Sequence, residues 1–363
     1  MKIIIMYPHI GVRDAVGNAC VEEYRALKEE GIEAFVYAET HDPSVRDCMI
    51  GESALNALVM DEEALLIYHH GIYWEKGHEI FSKSRCRKVI RYHNITPAHF
   101  FLRHSEVFFR NCFLGRRQSA AMLSCGVDAV WGDSHFNNKE FIDLGLPEER
   151  TRVLPPFHVI HGYDALSPDA AALERLNDGK TNVLFVGRIA PNKGHRHLIY
   201  TAFYYRLLFG ENVRFIITGA LDPGLKGYYR ELKGLVAQLG VKDLVFFTGG
   251  VSPEYLKSCY LGSHVFLLLS EHEGFCVPIL EAQHFKLPIV ALNRGAVKDT
   301  LGENQLIYDE PDYEIIASAI DEIRGNPDVR GFLVDEGRKN RLHYERDALK
   351  ARFLGYIREL TRA

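Results

Sequence analysis

Short β-branched, apolar runs alternate with helical stretches along most of this chain, and that alternation limits the fold more than any other feature. Ile3–Met6 precedes a helical stretch near Ala19–Glu30, and Ala34–Ala38, Leu65–Tyr68, Lys88–Tyr92 and Ala129–Gly132 follow. This rhythm predicts βαβ units and a parallel sheet. It breaks at Pro155, Pro156, Gly162 and Pro168, and no period returns before Gly179. It resumes at Val183–Val186 and continues through Arg214–Thr218, Leu244–Phe247, Val265–Leu269 and Ile289–Leu292. With 363 residues there is enough chain for two cores. Two α/β domains are expected, each a doubly wound parallel sheet, over 1–165 and 166–341. A helical tail over 342–363, carrying Tyr344, Leu349, Phe353, Leu354 and Ile357, is expected to return to the first domain. Facing sheets would place ligands in an interdomain cleft, beyond the carboxyl ends of the strands.

Composition narrows the chemistry. The formal net charge of −5 argues against a general nucleic-acid binder. No apolar run reaches the roughly 18 residues of a membrane span. The apolar N-terminus ends at Tyr7, Pro8, His9 and Arg13, too early for a signal peptide, and reads as a buried strand. Seven cysteines without CxxC spacing suit a reducing cytoplasm, most of them as small core residues.

Two strand ends carry unusual residues. In SEHEGFCVPILEA, 270–282, Pro278 suits the start of a helix running from about Val277 to Phe285. The N-terminus of that helix would offer free N–H groups and partial positive charge to an anion. Gly274 permits close backbone approach. Glu273 and Glu281 would flank the ligand, and carboxylates accept hydrogen bonds from the paired hydroxyls of a sugar or ribose. An acidic cap and an ordinary helix glutamate explain the same pair equally well. In VGRIAPNKG, 186–194, Arg188 and Lys193 lie close enough in a tight loop to hold a diphosphate, or are two solvated charges. Asn192 stands where a P-loop needs Gly and no Ser or Thr follows Lys193, which disfavours a triphosphatase. The absence of GxGxxG disfavours a dinucleotide dehydrogenase. Dipole, carboxylates and cations together suit a nucleoside-diphosphate sugar.

These stretches, with VFFTGGV at 245–251 and WGDSHFNNKEFIDLG at 131–145, resemble the family 4 glycosyltransferases, retaining enzymes of the GT-B fold. The resemblance spreads over most of the chain and is strongest after residue 180. It implies that Gly187, Arg188 and Lys193 hold the donor diphosphate, that Glu273 contacts the transferred sugar, and that Glu281 contacts the ribose. Backbone N–H groups of Gly274, Phe275, Cys276 and Val277 would touch sugar or phosphate, and the base would lie near Phe247, Gly249 and Val251. His93, in RYHNITPAHFF at 91–101, matches an active-site histidine, with Asn94 beside it and His69 and His70 as weaker candidates. In HIGVRDAVGNA, 9–19, the family's paired glycines are reduced to Gly17; Asp14, Gly17 and Asn18 would face the acceptor side. Lys286 stands where relatives often have Gly.

The implied reaction is metal-independent front-face transfer with retention, in which the donor phosphate takes the acceptor's proton. Arg188, Lys193 and the helix start at Val277 would stabilise the leaving diphosphate. No DxD triplet occurs. No cofactor beyond the donor is expected. GDP-mannose is the first donor candidate and UDP-sugars the second. The acceptor would be a saccharide or lipid-linked saccharide of surface-polysaccharide synthesis. Residues 81–120 carry Lys83, Arg85, Arg87, Lys88, Arg91, Arg103, Arg110, Arg116 and Arg117 against Glu106. Phe100, Phe101, Phe108, Phe109 and Phe113 are interleaved with them, as in a helix lying on an anionic inner membrane or one packed in the first domain. A nucleotide-sugar epimerase of GT-B fold, or a non-catalytic nucleotide-binding partner, are the competing functions.

Overall fold

The computed structural model describes residues 1–11 and 14–362; Val12, Arg13 and Ala363 lie outside the described residues. The chain forms two compact units. The first comprises Met1–Ala98, Phe109–Val159 and His343–Ala363, and the second His99–Phe108 and Ile160–Leu342.

The first unit is built on a six-stranded parallel sheet. Its strands are β1 (Lys2–Met6), β2 (Glu33–Tyr37), β3 (Leu65–His70), β4 (Arg87–Tyr92), β5 (Ala129–Gly132) and β6 (Thr151–Val153). They are ordered β2-β1-β3-β4-β5-β6. The central strands are apolar on both faces, as buried parallel strands must be, with Ile3, Ile4, Ile5, Leu66 and Ile67 fully enclosed. Helix α1 (Ala15–Glu29) starts four residues earlier than the periodicity suggests, because the Asp14 carboxylate caps it by accepting the Gly17 N–H at 2.8 Å.

The C-terminal helix α2 (Arg346–Arg362) packs on this unit through Leu349, Phe353, Leu354 and Ile357. Phe353 meets Trp131 edge-on at 6.1 Å. Arg346 and Lys350 both pair with Glu29 of α1. Among the described residues no helix is long and apolar enough to cross a membrane.

The second unit repeats the plan with β7 (Thr181–Val186), β8 (Val213–Thr218), β9 (Val245–Gly249), β10 (Val265–Leu268), β11 (Ile289–Leu292) and β12 (Leu306–Tyr308). Their order is β9-β8-β7-β10-β11-β12, all parallel. The strand order therefore reverses between β7 and β10, and open α/β sheets bind ligands beyond the carboxyl ends of strands at such a point. The short strands β6 and β12 escape sequence reasoning because three-residue edge strands carry too little alternation to stand out.

The basic aromatic segment divides. Phe101 is buried, Phe100, Phe108 and Phe109 are half-buried, and Phe113 is exposed. Its charge is smaller than the count suggests. Arg91 is enclosed in the sheet, Lys88 donates to the Cys125 carbonyl, and Arg116 pairs with Glu140 at 3.0 Å.

Candidate active site

Both loops singled out in the second half of the sequence leave the switch point of the second sheet. The loop after β7 runs through Arg188 to a short 3-10 turn, Pro191–Lys193, and into a helix, His195–Phe209. The loop after β10 runs through Glu273 into helix α3 (Val277–His284). Hydrogen bonds join them: the Asn192 backbone carbonyl accepts the Glu271 N–H at 2.9 Å, and the Asn192 side-chain amide donates to the His272 carbonyl at 3.3 Å. Above that seam the Lys193 ammonium bonds both oxygens of Glu273, each at 2.8 Å. Glu273 is 5% exposed.

Two glycines make the seam possible. A Cβ at Gly194, whose φ is 64°, would lie 1.7 Å from the Leu269 carbonyl oxygen. One at Gly295, with φ 60°, would lie 2.2 Å from the Glu273 carbonyl oxygen, which accepts the Ala296 N–H at 2.9 Å.

Helix α3 begins at Val277 with Pro278 in its first turn, and its N-cap Cys276 is left-handed at φ 75° with no side-chain cap. Pro278 has no N–H and the Ile279 N–H bonds the Cys276 carbonyl at 3.1 Å, so it is the helix dipole and the backbone just before Pro278 that this terminus turns toward an anion. Lys286, past the end of the helix, has φ 59°, a left-handed conformation that favours the Gly the family resemblance implies at that place.

Glu281 lies one turn inside. It accepts the Tyr260 hydroxyl at 2.6 Å and the Tyr163 hydroxyl at 3.4 Å. Burial raises its pKa, and these two bonds oppose the rise. Arg188 is exposed and forms no ion pair among the described residues. Phe247 turns its ring to Tyr229, edge-on at 5.4 Å, and to the Lys233 ammonium at 5.4 Å.

The first unit gathers a different set at the ends of β3, β4 and β5. His69 Nδ1 lies 2.8 Å from His93 Nε2, and His69 Nε2 lies 3.1 Å from Glu23. His93 Nδ1 lies 3.0 Å from Asp133. Arg91 donates to Glu23 at 3.1 Å and sits 2.7 Å from Asp133. Burial alone would raise Glu23, but His69, Arg91 and His93 hold it below the usual carboxylate range. Both ring nitrogens of His93 are therefore engaged within the unit.

Asn94, left-handed at φ 66°, turns the chain away after His93 and donates to Asn137 at 3.2 Å. His70 corrects its sequence assignment. It is buried against Ser119 at 2.8 Å, between Tyr68 and Tyr92, and burial lowers its pKa to about 3, so it is a neutral core residue. Gly17 is buried and Asn18 half-buried in the first turns of α1.

Residues 169–340 match the model of the family described as glycosyl transferases group 1. Over 332 residues, covering 86% of this chain and 71% of the relative, the sequence is 30% identical to the D-inositol 3-phosphate glycosyltransferase of Acidothermus cellulolyticus. This chain is a glycosyltransferase of the GT-B, family 4 type. A second relative of this glycosyltransferase is the GDP-mannose-dependent alpha-(1-6)-phosphatidylinositol monomannoside mannosyltransferase of Mycobacterium tuberculosis. It is 27% identical over 216 residues, 54% of this chain and 53% of that protein. In architecture the glycosyltransferase resembles Anabaena HepE solved with UDP and glucose, with a TM-score of 0.77 at 16% identity over 99% of this chain and 100% of HepE. The sucrose-phosphate synthase of Thermosynechococcus elongatus follows with 0.75 at 19%, over 99% and 98%.

Sequence reasoning missed Glu23, Arg91, Asp133, Tyr163 and Tyr260. One signal was present: Arg91 is a cation between Val89-Ile90 and Tyr92 in a strand read as buried, and a buried cation there requires a carboxylate.

Proposed function

We propose that the enzyme transfers a sugar from a nucleoside diphosphate to a hydroxyl of a saccharide or lipid-linked saccharide, with retention of anomeric configuration. The carrying observation is the Lys193–Glu273 pair at the β7/β10 switch point, beside the N-terminus of α3. In this reading Gly187, Arg188, Lys193 and the amides of residues 274–277 bind the diphosphate and sugar. Glu273 accepts from the sugar hydroxyls and Glu281 from the ribose. The backbone near Phe247, Gly249 and Val251 borders the base. The bond between the anomeric carbon and the phosphate oxygen breaks, and the acceptor oxygen bonds that carbon from the same face. The acceptor proton passes to the departing phosphate, whose growing charge Arg188, Lys193 and the helix terminus stabilise.

GDP-mannose is the first donor candidate, supported by the mycobacterial relative, and a UDP-sugar the second, supported by the architecture shared with HepE. Calorimetric titration with GDP, UDP and ADP tests the site. One nucleotide is expected to bind at micromolar Kd, and the matching sugar nucleotide to give a product whose anomeric configuration NMR shows retained. Binding of none below about 1 mM, or an inverted product, overturns the reading. The exposed Leu102, Arg103, Val107, Arg110 and Phe113 would add peripheral contact with an anionic inner membrane, for which co-sedimentation with phosphatidylglycerol vesicles at low salt is the check.

Glu281 makes nucleotide affinity pH-dependent. Its raised pKa means protonation, and loss of acceptor capacity, begins above the ordinary carboxylate range as pH falls. Tyr260→Phe removes a bond that favours the ionised form. The acid limb of the affinity profile is expected to move to higher pH in this variant, as measured by nucleotide titration across pH 4.5–8.

A further inference from the structure

The histidine cluster of the first unit has a proton count that its geometry fixes. Four titratable groups form a chain, Glu23···His69···His93···Asp133, through contacts of 3.1, 2.8 and 3.0 Å. Each contact needs one proton between its two heavy atoms, because two lone pairs facing each other at these distances repel. Three protons are needed. Two neutral imidazoles beside two ionised carboxylates bring only two. Arg91 closes the ring, with one side toward Glu23 and the other toward Asp133. With two carboxylates and one guanidinium the ring carries a net charge of −1, and one additional proton brings it to zero. Hydrogen-bond count and charge balance, which are independent, require the same proton. Neutrality matters here because Glu23, Arg91 and His69 are all within 1% of full burial, and an uncompensated charge at such a site is costly.

We propose that His69 and His93 share one proton beyond their neutral complement, and that Glu23, Arg91, Asp133 and His69 are positioning residues that hold His93 through it. The role of His93 in transfer rests on the function proposed above; the proton count does not. In this state His93 is not a free base. Its Nε2 faces His69, so a sugar hydroxyl reaches that nitrogen only by displacing His69. This agrees with a reaction in which the donor phosphate, and not a histidine, takes the acceptor's proton. The charged and titratable groups packed around the pair are Glu23 and Cys20 of α1, Tyr7 after β1, His70 of β3, Arg91 of β4 and Asp133 after β5. Of these only Asp133 is bonded directly to His93, which makes it the place to perturb the count.

The test is NMR of the full-length chain with 15N-labelled histidine. At neutral pH one far-downfield proton is expected, coupled to His69 Nδ1 and His93 Nε2 and absent in His69→Asn, with His69 Nε2 and His93 Nδ1 both protonated at the same time. In Asp133→Asn the ring loses one negative charge, and that proton should be released at least about tenfold more readily, a midpoint at least about one pH unit lower. The pH dependence of kcat should move with it, a response that a merely structural contact does not give. An unprotonated chemical shift at His69 Nε2 or at His93 Nδ1, or at both His69 Nδ1 and His93 Nε2, in the wild type at pH 7 overturns the proposal, even if Asp133→Asn fails to fold. An unchanged midpoint in a folded Asp133→Asn overturns it as well. Loss of transferase activity with the shared proton intact counts against the catalytic reading alone.

Discussion

Lys193→Ala is expected to lower kcat/KM at least about 100-fold, the usual scale for removing one preorganised group that stabilises charge in a transition state. The same change should also cost stability, because Glu273 loses the cation it pairs with while its side chain stays 6% exposed. Breaking a buried pair from one side costs about 3–5 kcal/mol, and the partial exposure of Lys193, 20%, places this case at or below the lower end. Glu273→Ala should be milder in stability, since the ammonium left behind can reach water, and as severe in turnover. The two effects separate in the double variant Lys193→Met/Glu273→Leu. An apolar pair of similar volume restores much of the stability of a broken ion pair. It cannot hold a diphosphate or a sugar hydroxyl. The expected result is a melting temperature near wild type with turnover still abolished. Recovery of turnover along with stability would make the pair a structural clamp and remove both residues from the chemistry.

Most strands that the sequence made legible are buried on both faces. Runs such as Ile3–Met6 and Val265–Leu269 have no polar alternation to confuse them, and each matched its strand within one residue. The loops around Lys193 and Glu273 were legible for the opposite reason. They place charge, Gly and Pro at the end of an apolar run, where packing alone has no use for them. What stayed hidden depends on pairing across long separations. Tyr163 reaches Glu281 over 118 residues, and Arg91 reaches Glu23 over 68. A tyrosine or a helix glutamate has no local signature for such a partner. Phe247 shows a different limit. Its place in the motif was clear, but only the structure shows its ring turned to Tyr229 and Lys233.

The lone methyl group of Gly194→Ala should act almost as strongly as loss of the lysine beside it. The added carbon would sit 1.7 Å from the Leu269 carbonyl oxygen, less than half a normal contact, and the obstacle is backbone that cannot swing aside. The residue also keeps φ at 64°, a conformation that costs an L side chain about 1 kcal/mol or more. Relief requires the loop after β7 to move away from the strand end at β10, carrying Lys193 with it. A displacement of about 1 Å at a positioning group can cost on the order of 100-fold in rate. The expected outcome is a folded protein destabilised by about 2–4 kcal/mol, with kcat/KM lowered about 100-fold and nucleotide affinity weakened in parallel. Gly227→Ala supplies the control. That glycine lies inside the helix Lys226–Gln238 with nothing within 4 Å of the added carbon. There alanine should leave turnover unchanged and raise stability by up to about 1 kcal/mol, since helical glycine is entropically unfavourable. Equal melting temperatures and equal turnover for the two variants would mean that the seam between the loops is not held as tightly as these distances require. Lys193 would then owe its position to Glu273 alone.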